Sequence, residues 1–457
     1  MVSVSGFRGV VGETLTPELV TGITAAYASF LQSEGETGPV FIGRDSRTSG
    51  PMFARAAAAG VLSVGMDVVD LGIVSTPTLL LATREARGAG ALGVTASHNP
   101  AQWNALKFAG SDGVFLDPPR MERFLASVRE DEPRRAQWDA VGQWREDGEA
   151  GERHLDRILD LPHLDVSAIR DRGFIVALDC VRGAGFRIMP ALLDRLGCTV
   201  VGIGLEGDGR FPRDPEPTAE NLKDLSELVR AGGADLGLAV DPDVDRLSLV
   251  DGDGVPLGED LTLAVAAAAV LRRTPGPVVT NLSTSRIVED VAEEAGVLLH
   301  RAPVGEVNVA RRMEEVGAVV GGEGNGGVIL PELHLTRDAP LAAALVLQHL
   351  VDEGKGMREA VSRWPTYHIL KQKVPRSSGA VDAGYESLAS AFGAPDVDRQ
   401  DGLRLSWPEE RKWLHVRPSG TEPVVRLIAE ATTQREARSL LQRARDILGH
   451  SADGSES

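Results

Sequence analysis

The sequence predicts an α/β protein of three or four domains, the last of them α+β. The chain has 457 residues, more than one core holds, because domains run to roughly 100–200 residues each. Short apolar runs of strand length alternate with helical periodicity in three successive units before Trp364, the pattern of strands joined by helical crossovers. After Trp364 three strands in succession follow one another with no helical crossover between them, which predicts an antiparallel sheet.

In the first unit, Thr16-Pro17-Glu18 opens a helix with a hydroxyl cap, a first-turn proline and an acid near the positive end. Leu19, Ile23, Tyr27, Phe30 and Leu31 follow at helical spacing, and Gly35 closes it. Residues 40–42, 67–71 and 91–95 read as strands and 50–64 as a helix, implying a parallel sheet with right-handed crossovers. The second unit has strands at 174–178, 199–203 and 234–240, with helices at 186–196 and up to about residue 231. The third has helices at 262–271 and 285–295 and extended segments at 278–280 and 318–320. The last unit runs strand, helix, three strands, helix: 368–374, 385–392, 403–407, 413–416, 424–431 and 434–448. The polar segment 129–153 reads as an exposed connection and 451–457 as a disordered tail. The expected domains are 1–150, 151–256, 257–364 and 365–457.

The formal net charge is −18. A field of that sign repels nucleic acid and anionic lipid, so neither is an expected partner. It repels phosphorylated metabolites as well, and an enzyme acting on them needs cations gathered locally at its loops. The two cysteines, Cys180 and Cys198, have no metal-ligand spacing and read as buried free thiols of a reducing compartment. The N-terminus lacks a basic region followed by an apolar run, and no apolar stretch spans a bilayer, so a cytoplasmic protein is expected.

Four loops carry candidate chemistry, and three follow predicted strands, where open α/β sheets place their ligands. In Thr95-Ala96-Ser97-His98-Asn99-Pro100, Ser97 is placed to react and His98 to orient or activate it. The alternative is a polar turn closed by Asn-Pro. No carboxylate nearby makes a hydrolase triad, and no Gly-x-Ser-x-Gly elbow is present. In Asp241-Pro242-Asp243-Val244-Asp245-Arg246, alternation aims three carboxylates at one point. They would raise one another's pKa unless a cation lay between them, and hard oxygens suit Mg²⁺ or Ca²⁺. Arg246 at the sixth position excludes an EF-hand. Asp251-Gly252-Asp253-Gly254 reads instead as a hairpin turn. In the glycine-rich run 321–327, Glu323 and Asn325 alternate and could both face sugar hydroxyls. In Arg417-Pro418-Ser419-Gly420-Thr421-Glu422-Pro423, Arg417 offers a phosphate fork, Ser419 and Thr421 hydroxyls, and Gly420 an anion nest. Arg8, Lys107 and Arg246 lie on or beside these loops and supply the required cations.

Together these loops resemble the α-D-phosphohexomutase family, in its order and at its spacing over nearly the whole chain. Smaller likenesses are Ser5-Gly6-Phe7-Arg8-Gly9, Gly43-Arg44-Asp45-Ser46-Arg47, and Phe211-Pro212 leading to Pro215-Glu216-Pro217. The resemblance implies four domains around a central cleft, three sharing one α/β topology and the fourth α+β. It implies a phosphoserine at Ser97, with Mg²⁺ held by that phosphate, Asp241, Asp243 and Asp245. Glu323 and Asn325 would select sugar hydroxyls, and Arg417, Ser419, Gly420 and Thr421 would hold the non-reacting phosphate. Arg8, Lys107 and Arg246 would surround the reacting end. A sugar 1,6-bisphosphate would serve as primer and intermediate, a phosphosugar as the partner, and the chain would work as a monomer or homodimer. Two positions depart from the common pattern. Gly327 stands where many members carry a histidine able to act as acid or base, so that role is either vacant or moved, to Lys107 or His334. Asn104-Ala105 replaces Asn-Gly. The run Gly-Glu-Gly-Asn-Gly-Gly looks most like phosphoglucosamine mutases of archaea and some bacteria, so glucosamine phosphate is the expected substrate, with mannose and glucose phosphates as alternatives. A phosphosugar-binding protein without turnover is the reading from a different class. A phosphatase is disfavoured by the separate phosphate clamp.

Overall fold

The computed structural model describes residues 2–3, 6–130, 133–375, 381–419 and 424–449. The first helix, Pro17–Ser33, forms as its signals require: Thr16 Oγ1 accepts the Leu19 N–H, and Gly35 leaves the helix at φ +81°. Four sheets follow, and three repeat one topology. In the first, Val68–Ile73, Val40–Arg44 and Gly90–Val94 are parallel neighbours, and Trp103–Gly110 lies antiparallel beside the last. In the second the same places are taken by Thr199–Ile203, Ile175–Asp179, Leu236–Val240 and antiparallel Leu247–Asp251. In the third they are taken by Leu299–Ala302, Val278–Asn281, Val320–Glu323 and antiparallel Gly327–Ile329. Order and direction agree in all three, so the architecture is three related α/β domains. The fourth sheet is antiparallel throughout, in the order His368–Pro375, Val424–Ala431, Lys412–Pro418, Leu403–Trp407, Asp396–Asp398. Helices Val381–Phe392 and Gln434–Ile447 complete this α+β domain.

The expected purely parallel sheets are corrected to mixed ones. The link after the third strand is too short for a helical crossover, which takes a dozen or more residues, so the chain must turn back as a hairpin. The consequence for function is direct: the three strand-end candidate loops are those hairpin turns. The segment 129–153 is also more than an exposed connection. Trp144–Glu146 pairs with Val68–Ile73, and helix Ala150–Leu159 begins within it. All three residues of that edge strand are exposed, so no apolar alternation marks it. The turn after Asp251 forms as expected, closed by the Asp251 N–H on Val255 O at 3.0 Å. Both cysteines are free; Cys180 is buried and Cys198 only partly so. The tail 451–457 lies outside the described residues.

One continuous core runs through the second and third domains. Helices Asp260–Leu271 and Ala339–Glu353 are its centre, buried on nearly every side, and their alanines permit the close approach that scarce aromatics make necessary. Asp338 caps the second of these helices through the Leu341 N–H and accepts from both His154 and His334 at 2.8 Å. His154 Nδ1 in turn meets Thr78 Oγ1 of the first domain at 2.9 Å, so this buried network ties three domains together. No helix among the described residues is long and apolar enough to cross a membrane.

His349, on helix Ala339–Glu353, stacks against Trp364, and burial pulls its pKa down to about 4. The folded state therefore keeps it neutral while the unfolded chain protonates near pH 6.5. Stability is fully present above that value and is lost as pH falls towards 4. At pH 5 this one group removes roughly 2 kcal/mol. The melting temperature should drop between pH 7 and pH 5, and His349→Leu should flatten that slope; an unchanged slope contradicts the assignment.

Candidate active site

The turn between Gly90–Val94 and Trp103–Gly110 presents Ser97 in the left-handed region, at φ +46°. Such a backbone costs a non-glycine residue about 1–3 kcal/mol, so its surroundings must impose it. Arg47 does so. Its Nη2 donates to the carbonyls of Ser97 and Asn99 at 2.6 Å each, and its Nη1 to those of Pro100 and Trp103. Its Nε is held by Asp45, which also accepts from Thr95 Oγ1, and that same hydroxyl oxygen accepts the Ser97 N–H. The segment 43–47, conspicuous in the sequence only as a minor likeness, is thus the clamp that shapes the serine loop.

Opposite it, the hairpin after Leu236–Val240 turns on Val244, a buried β-branched residue at φ +63°. The tight turn brings carboxylate oxygens of Asp241, Asp243 and Asp245 within 4.8 Å of one another, all three buried. Ser97 Oγ donates to Asp241 Oδ2 at 2.8 Å, so the first two domains meet on the serine itself. Asp241 Oδ1 receives the N–H groups of Asp245 and Arg246. Asp243 Oδ2 receives Lys107 Nζ at 2.7 Å and Thr76 Oγ1 at 3.0 Å, both from the first domain. Asp245 Oδ2 is bonded by Arg337. The other oxygens, Asp243 Oδ1 and Asp245 Oδ1, are buried and have no hydrogen-bond partner among the described residues, Arg246 Nε lying 3.8 Å from the second. Each of these two carboxylates is thus held through one oxygen and leaves the second without a hydrogen bond. Burial and the two neighbouring carboxylates push the Asp241 pKa well above its ordinary value. A hard cation would relieve both costs, and the donor set fits Mg²⁺.

The cations surround this cluster. Burial pulls the Lys107 ammonium down, but Asp243 and Asp245 outweigh it and hold its pKa above the ordinary value. Burial lowers Arg8, with Asp243 opposing. Arg246 lies against Asp245 and reaches Glu216 at 3.4 Å, which gives the Pro215-Glu216-Pro217 motif a place at the site. His98 Nδ1 stands 3.3 Å from Ser97 Oγ; burial, then the charges of Arg246 and Arg8, lower its pKa to about 2, so it is neutral. His334 is not brought here: it is bonded to Asp338 within the interdomain network.

The third loop rests on the second. Leu247 N donates to Gly326 O at 3.0 Å, and a β-carbon on Gly326, itself at φ +85°, would lie 2.3 Å from Leu247 O. The expected pairing of Glu323 with Asn325 is altered. Glu323 is buried, and its oxygens accept from Asn281 Nδ2, the Gly305 N–H, Arg337 Nη1 and, at 3.5 Å, Asn325 Nδ2. It ends a buried strand and braces the loop, while Asn325 is the half-buried residue of the pair. In the fourth loop Arg417 pairs with Asp401 at 2.8 Å rather than with the serine cluster. Asp401 also accepts the Val304 N–H, one residue before the Gly305 N–H that bonds Glu323. Ser419 is buried; Gly420 and Thr421 lie outside the described residues.

Alignment and charge neutralisation are what phosphoryl transfer asks of a protein. A constrained serine facing clustered carboxylates within a shell of cations has the residue types and the geometry for both. The chain belongs to the phosphoglucomutase/phosphomannomutase family: residues 2–135, 152–254 and 258–367 match its alpha/beta/alpha domains I, II and III, and 370–447 its C-terminal domain. It is therefore of the phosphohexomutase isomerases. Among its relatives, a "Phosphoglucomutase/phosphomannomutase" of Thermococcus kodakarensis is 36% identical over 98% of both chains. A "Probable phosphoglucosamine mutase" of Methanopyrus kandleri is 37% identical over 97% of this chain and 96% of its own. A crystal structure of a family protein from Burkholderia thailandensis, 26% identical, superposes with a TM-score of 0.86 over 99% of both chains.

Proposed function

We propose that the protein interconverts hexosamine 6-phosphate and 1-phosphate, glucosamine phosphate foremost, through a phosphoserine at Ser97 and a sugar 1,6-bisphosphate. The observation that carries this reading is the 2.8 Å contact of Ser97 Oγ with a three-aspartate cluster in which two buried oxygens accept no hydrogen bond. Asp241, Asp243 and Asp245 would hold Mg²⁺, which when bound withdraws charge from the phosphoryl oxygens.

The residues of the chain divide the remaining work. Arg47 fixes the serine loop so that Oγ points at the reacting phosphorus. In the first transfer the Oγ–P bond breaks as a sugar hydroxyl oxygen forms its own bond to phosphorus; the proton that hydroxyl gives up is balanced by the one the departing Ser97 Oγ takes up, so the serine ends as a free hydroxyl. Arg8, Lys107 and Arg246 stabilise the charge spreading over the phosphoryl oxygens. Lys107, kept protonated by its carboxylates, serves as cation and acid rather than base. Neutral His98 keeps a hydrogen bond available to Ser97 Oγ when the phosphoryl group has left. Arg417, Ser419, Gly420 and Thr421 hold the non-reacting phosphate at a distance from the serine, so the bisphosphate can turn and return its other phosphate to Ser97. Asn325, with Glu323 bracing its loop, meets the sugar hydroxyls.

The run 322–327 and the naming of several relatives favour glucosamine. The test is a panel of glucosamine, N-acetylglucosamine, mannose and glucose 1-phosphates, each with Mg²⁺ and a sugar 1,6-bisphosphate primer. Glucosamine phosphate should give the highest kcat/KM, by about tenfold or more, as a site that hydrogen-bonds its substrate allows. A higher value for mannose or glucose phosphate overturns the substrate. Thermal stabilisation without any 6-phosphate product overturns turnover itself.

A further inference from the structure

Gly327 opens the strand Gly327–Ile329 beside the sugar loop. Its φ is not among the left-handed ones, so the backbone does not demand glycine there. What demands it is a neighbour. A β-carbon at 327 would lie 2.2 Å from Arg337 Cδ, 2.7 Å from Cγ and 3.2 Å from Cβ. The stem of Arg337 fills the room a side chain at 327 would use. The clash is with the body of the arginine, not its mobile tip, so even a methyl group must push the whole side chain aside.

The end of that side chain joins two loops from different domains. Nη1 donates to Glu323 Oε2 of the sugar loop at 2.8 Å, and Nη2 to Asp245 Oδ2 of the aspartate loop. Glu306 completes the surround: its Oε2 lies 3.4 Å from Nη2, and its Oε1 accepts the Arg337 N–H. Arg337 is only 7% exposed. A planar guanidinium whose two amino groups are engaged by different carboxylates fixes the distance and the angle between them, which a lysine ammonium cannot do.

We propose that Arg337 is a positioning residue for phosphoryl transfer. It locks the loop that meets the sugar, through Glu323, to the loop that faces the reacting phosphate, through Asp245. Gly327 is bare in order to admit it. This rests on the mutase reading above, since that reading gives the two loops their tasks. An arginine does not give up its proton in proteins, so this position orients the site and takes no part in moving protons.

Gly327→Ala tests the pair with every charge retained. The lock slips while the phosphate clamp on the last domain is untouched. Misplacement by about 1 Å can cost on the order of 10²-fold, so kcat should fall between about tenfold and a hundredfold with KM for the sugar phosphate within about threefold. Arg337→Lys should give a similar split. The double variant should be no worse than either single one, because the second change has no lock left to break; residues in contact show this non-additivity. The same non-additivity should appear in the melting temperatures, which need no turnover. A Gly327→Ala enzyme within threefold of wild-type kcat overturns the proposal, and so do effects that multiply independently. If Arg337→Lys fails to fold, Gly327→Ala decides alone. If the wild type has no mutase activity in the panel, the mutase reading fails instead, while coupled melting temperatures would still establish the packing pair.

Discussion

Ser97→Ala is expected to lower turnover by more than about 10³-fold, at least ~4 kcal/mol of barrier, while sugar-phosphate binding stays within a few-fold of wild type. The substitution removes one hydroxyl. In the folded protein that hydroxyl makes a single strong hydrogen bond, to Asp241 Oδ2, so its loss costs stability only about 1 kcal/mol. The shape of the loop does not depend on it. That shape comes from Arg47 gripping four backbone carbonyls and from Thr95 Oγ1 accepting the Ser97 N–H. The cations and the last-domain loop are equally untouched, so the substrate should still bind. What disappears is the only atom proposed to carry the phosphoryl group between the two ends of the sugar. Steady-state kinetics with titration calorimetry separates the two effects. A near-normal rate contradicts the phosphoserine role.

Asp243→Asn should raise the Mg²⁺ concentration for half-maximal activity by about tenfold or more, since the amide leaves one hard charged ligand fewer. Asparagine preserves the shape. One side-chain atom can still meet Thr76, but the charge opposite Lys107 is gone. Breaking a buried ion pair costs about 3–5 kcal/mol when no partner is left; the amide oxygen recovers part of this, so a folded but less stable protein is expected. Two readouts follow Mg²⁺: activity, and the rise in melting temperature that binding to the native state produces. Both midpoints should move together. Asp253→Asn is the matched control. Asp253 is exposed on the hairpin turn after Asp251, outside the cluster, and its change should leave both midpoints alone. Equal Mg²⁺ dependence in the wild type and Asp243→Asn contradicts the metal assignment.

Where each candidate loop falls was legible because strand ends announce themselves. Short apolar runs stop, and chemistry-bearing residues begin, at Thr95, Asp241 and Glu323. The antiparallel return strands were harder to see. Gly327–Ile329 is too short to show a period, and Trp103–Gly110 is buried almost throughout, so its alternation is blurred. Trp144–Glu146 has the opposite fault, being exposed along its whole length.

The side chains that shape the site were less legible than those proposed to react. Arg47 closes a loop about 50 positions away, and Arg337 bonds an aspartate 92 positions before it. Neither residue stands in a local pattern that reveals its partner. One signal was available. A glycine stands at 327, where the family resemblance leads one to expect a histidine, and an arginine directly precedes the Asp338 helix cap. Together these point to room vacated at one position and filled from another. Alternation did not show what holds Glu323. It placed that carboxylate beside Asn325; the Asn281 amide, the Gly305 N–H and Arg337, none of them in the local pattern, donate to its oxygens.

The most direct measurement of the central claim is intact-mass analysis with peptide mapping after incubation with glucose 1,6-bisphosphate and Mg²⁺. One added phosphoryl group is expected, located on Ser97. It should disappear when excess glucosamine 6-phosphate is supplied and reappear in the glucosamine bisphosphate. A protein that gains no phosphoryl group, gains it on another residue, or keeps it in the presence of excess sugar phosphate would contradict the account.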